Sequence, residues 1–154
     1  ILKKKWIVIL TRFQKNSMIE FHYEINFSLK NKMSISKWID HTIRAENKIT
    51  GDINYIFCSD DYLLARNIKY LNHDSLTDII TFNYCEGNKI NCDIMISIDR
   101  VKENSSIFGS SFLEELYRVM IHGILHLVGY DDKTEKEKNI MRKKEEFYLK
   151  KLHI

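Results

Sequence analysis

The run His122-Gly123-Ile124-Leu125-His126-Leu127-Val128-Gly129-Tyr130-Asp131-Asp132 carries the residue types that hold a metal ion. His122 and His126 stand four apart in an apolar, helical pattern. On an α-helix a four-residue step turns a side chain by only about 40° and climbs about 6 Å, so both imidazoles point the same way. Gly129 can take the left-handed conformation that ends a helix and reverses the chain. Asp132, just beyond that reversal, can swing back as a third ligand. Three protein ligands with an open position describe a catalytic rather than a structural zinc site.

Two histidines at this spacing are a weak signal alone. Here they interrupt Val119, Met120, Ile121, Ile124, Leu125, Leu127 and Val128, and a buried polar group without a partner costs roughly 1–3 kcal/mol. Core histidines satisfied by backbone carbonyls are the plain alternative. The glycine seven residues and the acid ten residues after His122 favour the metal, because they reproduce the ligand spacing of H-E-x-x-H-x-x-G-x-x-H. Gly123 stands where that pattern has glutamate, and Asp132 where it has its last histidine. A cation so held would lower the pKa of bound water from 15.7 toward about 7 and polarise a phosphoryl oxygen, both of which serve hydrolysis. The glutamate of the peptidase pattern is its general base; Gly123 cannot act as one. Asp131 can assist the attacking water, or it can fix the turn or orient a ligand histidine. A carboxylate at position 132 makes the metal a weaker Lewis acid and reduces the advantage of Zn²⁺ over Mn²⁺, Fe²⁺ or Ni²⁺.

Arg118 lies four residues before His122 and extends the polar stripe. It can satisfy a carboxylate such as Glu114, or sit beside the metal where a guanidinium forks onto a phosphate oxygen.

The elements that must position these groups are readable from periodicity. Ile19 to Phe27 alternates as a half-buried strand. Ser34 or Ser36 can cap a helix carrying Ile35, Trp38, Ile39 and Ile43. Ile53 to Cys58 reads as a second strand, and Asp60 or Asp61 opens a helix with Leu63, Leu64, Ile68 and Leu71 inward. Ile79–Tyr84 and Asp93–Ile98 flank the turn signal Glu86-Gly87-Asn88, which predicts an antiparallel hairpin. Asp99 to Asn104 reads as a short helix. Ser111-Phe112-Leu113-Glu114 is a capping box for the helix that ends near Val128, and Thr134-Glu135-Lys136-Glu137 opens a last amphipathic helix to about Leu149. The alternating Lys133, Lys136, Lys138, Arg142, Lys143, Lys144 and Glu135, Glu137, Glu145, Glu146 describe a solvated, salt-bridged face, or an RNA-binding strip. The order predicts a single α+β domain, a small mixed four-stranded sheet packed with about five helices, one of them a zincin-like metal helix.

Bulk properties agree. The chain has 154 residues, 44% hydrophobic and 29% charged, as an ordinary globular domain does. A net charge of +3 permits an RNA partner without arguing for one. Cys58, Cys85 and Cys92 form no CxxC pair; they read as small apolar residues in a reducing cytosol. No apolar run approaches the 18 or more residues of a membrane span. The apolar stretch after Lys3-Lys4-Lys5 is too short for a secretory signal.

The run from His122 to Asp132 resembles the signature H-G-x-L-H-L-x-G-Y-D-H of the YbeY family, bacterial metal-dependent endoribonucleases of ribosomal RNA maturation, with Asp132 in place of the final histidine. Leu76-Thr77-Asp78-Ile79-Ile80-Thr81-Phe82 resembles the family's P-T-D-V-L-S-F strand, and Asp93-Ile94 its G-D-I strand. Glu114 or Glu115, Arg118 and His122 are similar to its E-x-x-x-R-x-x-x-H-G helix, and Met141 with Glu145 to a later M-x-x-x-E. The resemblance implies a cytoplasmic, zinc-dependent, single-strand-specific endoribonuclease that acts on ribosomal RNA and the small ribosomal subunit. His122, His126 and Asp132 are then its metal ligands, with Arg118 close to the site; a catalytic part for Asp131 rests on its place beside Asp132 alone. A zincin-like metallopeptidase and a non-catalytic assembly factor with a structural metal are the competing readings. One departure matters: the family's N-x-x-Y-R segment is Asn67-Ile68-Lys69-Tyr70-Leu71 here. Lys69, His73 or Arg118 would have to supply the phosphate contact which that arginine implies. The resemblance starts near Met18, so residues 1–17 read as a non-native or disordered extension and 18–154 as the endoribonuclease domain.

Overall fold

The structure is a computed structural model that describes residues 18–154; the expectation for residues 1–17 lies outside them. Strands β1 (Ile19–Tyr23), β2 (Ile49–Cys58), β3 (Ile79–Asn83) and β4 (Lys89–Ser97) form one mixed sheet in the order β1-β2-β4-β3. β1 and β4 both run parallel to β2, and β3 pairs antiparallel with β4 as the expected hairpin. Helices α1 (Lys32–Ala45), α2 (Asp60–Leu71), α3 (Ile98–Phe108), α4 (Phe112–Leu127) and α5 (Glu135–Leu149) complete the described chain. The sequence-based fold class, an α+β arrangement of four strands and five helices, is what forms.

Alternation along the strands divides the core. Ile53, Tyr55 and Phe57 of β2 and Ile90, Cys92, Ile94 and Ile96 of β4 share one face, because side chains two apart point the same way. They pack on α1 through Ile35, Trp38, Ile39 and Ile43, and on α4 through Leu116, Met120 and Ile124. Tyr55 donates its buried hydroxyl to the Met120 carbonyl at 3.0 Å, which fixes α4 against the sheet. On the opposite face Cys58, Leu63 and Ile80 form a smaller cluster under α2.

Several boundaries differ from expectation for local reasons. β1 stops at Tyr23 and the chain bends before Phe27, whose ring still packs on Tyr23 and Phe57. α1 is capped by neither Ser34 nor Ser36, which lie inside it; it follows Asn31, which adopts the left-handed conformation at φ 57°, a region asparagine tolerates. Ile68 and Leu71 do not face the core: the end of α2 overhangs the sheet and leaves both 45% exposed, while the buried position goes to Asn67, whose amide donates to the Ser75 carbonyl. α3 continues to Phe108, beyond the expected Asn104. Both capping boxes form, with Ser111 and Glu114 opening α4 and Thr134 and Glu137 opening α5.

Candidate metal centre

α4 carries Arg118, His122 and His126 on one stripe, and the chain reverses immediately after it. The Tyr130 amide donates to the Leu125 carbonyl at 3.0 Å and the Gly129 amide to His126 at 3.1 Å, the paired bonds of a Schellman ending. Gly129 occupies the position past the cap at φ 116°, which a residue with a side chain rarely adopts. The Tyr130 hydroxyl then donates to Glu46 at 2.8 Å, anchoring the turn to the end of α1. Lys144 and Tyr148 of α5 donate to the same carboxylate. Burial pushes the Glu46 carboxyl up, but hydrogen bonds from Tyr148, Lys144 and Tyr130 outweigh it and hold it below the usual carboxylate range.

This turn returns Asp132 to the histidines. His122 Nε2 and His126 Nε2 are 3.0 Å apart. Asp132 Oδ2 is 3.4 Å from the first and 3.3 Å from the second. Ligand bonds of about 2.0–2.1 Å in a tetrahedral arrangement put ligand atoms about 3.3 Å apart, so three atoms with these separations fit one small divalent cation. The side chains of His122, His126 and Asp132 are 23%, 30% and 40% exposed, leaving the group open to solvent on one side. They are the cluster of metal-ligating side chains found among the described residues.

The surroundings orient the group. Glu145 of α5, only 5% exposed, lies 2.7 Å from His122 Nδ1. That contact places the Nδ1 proton on the carboxylate side and turns the Nε2 lone pair toward His126 and Asp132. Burial lowers the His122 pKa, but the hydrogen bond to Glu145 and the charges of Glu145, Asp132 and Asp78 raise it further, leaving it above the ordinary value. Arg118 bonds the buried Glu115 and lies 3.6 Å from Glu145. Its partner is therefore not Glu114, whose carboxylate closes the capping box with the Ser111 amide. Glu145 also departs from the solvated face expected of α5: it is the buried acid that joins Arg118 to His122. The M-x-x-x-E spacing marked it in the sequence, but nothing there distinguished it from its exposed neighbours.

Two hollows meet at the histidines. One of about 530 Å³ runs along β3 and is lined by Leu71, Asp78, Thr81, Asn83, His126 and Asp132 among others. The other, about 260 Å³, lies toward α5 and includes Arg118, His122, Lys138, Arg142 and Glu145. Asp78 borders both. Burial raises its carboxyl pKa, partly offset by His122, by its own backbone amide and by Arg118. Asp131 is exposed and lines neither of these hollows. Leu71 does sit in the wall of the first, so the position that resembles the family's arginine faces the cleft with an apolar side chain. The cations that line the second hollow are Arg118, Lys138 and Arg142; Lys69 and His73 are exposed and line neither.

Gly123 explains why no glutamate follows His122. A Cβ there would come within 2.9 Å of Ile79 Cδ1, 3.3 Å of Ile94 Cδ1 and 3.4 Å of Thr81 Oγ1. The α4 backbone is seated on the side chains of β3 and β4, and a side chain at 123 would displace the ends of Ile79 and Ile94.

The family profile described as Endoribonuclease YbeY matches residues 9–153. The chain belongs to this family. It is 52% identical over 137 residues to Endoribonuclease YbeY of Flavobacterium psychrophilum, covering 89% of this chain and 98% of that protein. It is 50% identical over 132 residues to the family member of Karelsulcia muelleri, covering 86% and 94%. The fold is similar to the solution structure of a Thermotoga maritima protein, with a TM-score of 0.60 and 28% identity over 88% of this chain and 89% of that one.

Proposed function

We infer that this chain is a metal-dependent endoribonuclease. The observation that carries the reading is the convergence of His122, His126 and Asp132 at 3.0–3.4 Å in an open cleft, in a member of an endoribonuclease family. These three residues would hold the cation, which we propose to be Zn²⁺, one per chain. When bound, it supplies Lewis acidity toward a phosphodiester oxygen and lowers the pKa of water.

The chain's own groups complete the site. Glu145 holds His122 through Nδ1. Arg118, fixed between Glu115 and Glu145, offers its remaining donors to a phosphate oxygen, and Lys138 and Arg142 add charge on the α5 side. Asp78 borders both hollows beside the cluster, and we propose it as a carboxyl that faces the substrate. Asp131 lies outside both hollows.

The finer reading is cleavage of single-stranded segments of ribosomal RNA during maturation of the small ribosomal subunit, in the cytoplasm. It is supported by the signature residues His122 to Asp131. The free thiols of Cys58, Cys85 and Cys92 suit a reducing compartment, and no helix among the described residues is long and apolar enough to cross a membrane. The peptidase alternative is disfavoured by Gly123, which supplies no carboxylate to act as the general base of the peptidase pattern. The structural-metal alternative is disfavoured by the solvent-open side of the cluster.

The test is to incubate zinc-loaded protein with end-labelled single-stranded RNA, duplex RNA and casein. Internal cuts in the single strand, abolished by chelation and by Asp132→Ala, are expected. Casein cleavage without RNA cleavage would overturn the assignment. Intact ribosomal RNA processing in cells carrying a metal-free His122→Ala variant would make the metal's role non-catalytic.

A further inference from the structure

The hollow on the α5 side of the metal centre does not end at Arg142. A neighbouring one of about 370 Å³ is lined by Phe108, Ser110, Arg118, Arg142 and Glu146. The two hollows share Arg118 and Arg142, so a pair of guanidinium groups stands between the histidine cluster and this second space.

Phe108 is the unexpected member. It is the last residue of α3 and its side chain is 63% exposed. Gly109, at φ 70°, turns the chain away directly after it. The ring lies 5.6 Å from the Arg118 guanidinium carbon, within range of a cation–π contact. Arg118 is neutralised locally by Glu115 and Glu145. Arg142 has no carboxylate within ion-pair distance among the described residues, although Glu146 borders the same hollow. One wall thus offers an aromatic face, and the boundary with the metal centre offers an uncompensated cation.

That pairing matches a single-stranded nucleotide. A base that is not stacked in a helix presents a π-face to an aromatic ring, and its phosphate seeks a guanidinium. Bases within a duplex are already stacked and cannot reach Phe108. We propose that Phe108, Arg118 and Arg142 form a subsite for one unpaired nucleotide flanking the scissile bond, with its base on the Phe108 ring and its phosphate on Arg142. This rests on the endoribonuclease reading and assigns that site a substrate-binding extension. Ile107 is also exposed, so a protein contact is the competing occupant.

The experiment measures fluorescence anisotropy of a labelled, unstructured 12-nucleotide RNA on the full chain, in chelator so that no cleavage occurs. Phe108→Ala should weaken binding about tenfold, the order found when a stacked base loses its ring, and Phe108→Trp should bind within twofold of the parent. Arg142→Ala should lower the slope of log affinity against log salt by about 0.7, the loss of one phosphate contact on a single strand. Zinc affinity of all three variants should match the parent, which shows an intact fold. Duplex RNA should bind the parent and Phe108→Ala alike. Equal affinity of the parent and Phe108→Ala for the single strand, or failure of Phe108→Trp to restore it, overturns the subsite. If single-strand affinity is unchanged while sedimentation shows altered self-association, the patch is a protein contact and the proposal is also overturned. Cleavage by the parent alongside an indifferent Phe108→Ala sinks the subsite alone; a zinc-loaded parent that neither binds nor cuts RNA sinks the enzymatic reading with it.

Discussion

Glu145 is the sharpest place to test how the metal centre is built. Its carboxylate is nearly inaccessible and sits 2.7 Å from His122 Nδ1, with the Arg118 guanidinium 3.6 Å away on its other oxygen. If it acts by orienting His122 and raising its basicity, removing it should cost about 10–100-fold in metal affinity, or about 1.4–2.7 kcal/mol. Glu145→Gln keeps the shape and an oxygen acceptor for Nδ1 but loses the charge, so it should fall near tenfold. Glu145→Ala leaves His122 free to turn and Arg118 with Glu115 alone, and should fall near a hundredfold. The assay is competition for Zn²⁺ against a chromophoric chelator at pH 7.5, with urea unfolding of the metal-free variants in parallel. The parallel measurement separates the two possible roles. Loss of stability in both variants with zinc affinity within twofold of the parent would refute the orienting role and leave Glu145 as a buried partner for Arg118 only.

Three further outcomes are expected. Asp132→His removes one negative charge from the cluster, so the bound cation should become a stronger Lewis acid with a greater preference for zinc over manganese; competition between the two metals checks it, and an unchanged preference would show that residue 132 does not ligate. Gly123→Glu should not create a peptidase: its Cβ would come within 2.9 Å of the Ile79 side-chain end and make Ile79 and Ile94 repack, at a cost of about 1 kcal/mol or more, read as a lower urea midpoint with no casein cleavage. Glu46 gives a pH dependence. Its folded-state pKa is depressed, so its contribution is present in full above the ordinary carboxylate value and disappears as pH falls through the lower folded value. The stability gap between the parent and Glu46→Gln, about 2 kcal/mol for hydrogen bonds to a charged group, should therefore hold at pH 7 and close on acidification below about pH 4.

The metal group was the most legible part of the sequence because it is local. His122, His126, Gly129 and Asp132 lie within one helix and the turn that closes it, and helical geometry alone specifies their approach. The two capping boxes and the β3–β4 hairpin were legible for the same reason: each is a short-range hydrogen-bonding pattern written in adjacent residues. What depended on distant packing was not. Glu145 sits on α5 among Lys143, Lys144 and Glu146, and only the docking of α5 on α4 turns one acid inward. Leu71 and Ile68 fit the apolar period of α2, yet the helix extends past the sheet that would have covered them. Phe108 lay beyond the expected end of α3, so its exposure beside Arg118 could not be anticipated.

The bare backbone at residue 123 has a consequence for selectivity. Because residue 123 adds no side chain of its own, the α4 backbone packs directly on the side chains of Ile79 and Thr81 from β3, and the helix that carries the histidines lies close against the strand that walls one side of the cleft. That close seating sets the width of the slot beside the histidines. Discrimination between paired and unpaired strands would then be steric, decided at entry by what is thin enough to reach the bottom, with no jaw that has to close.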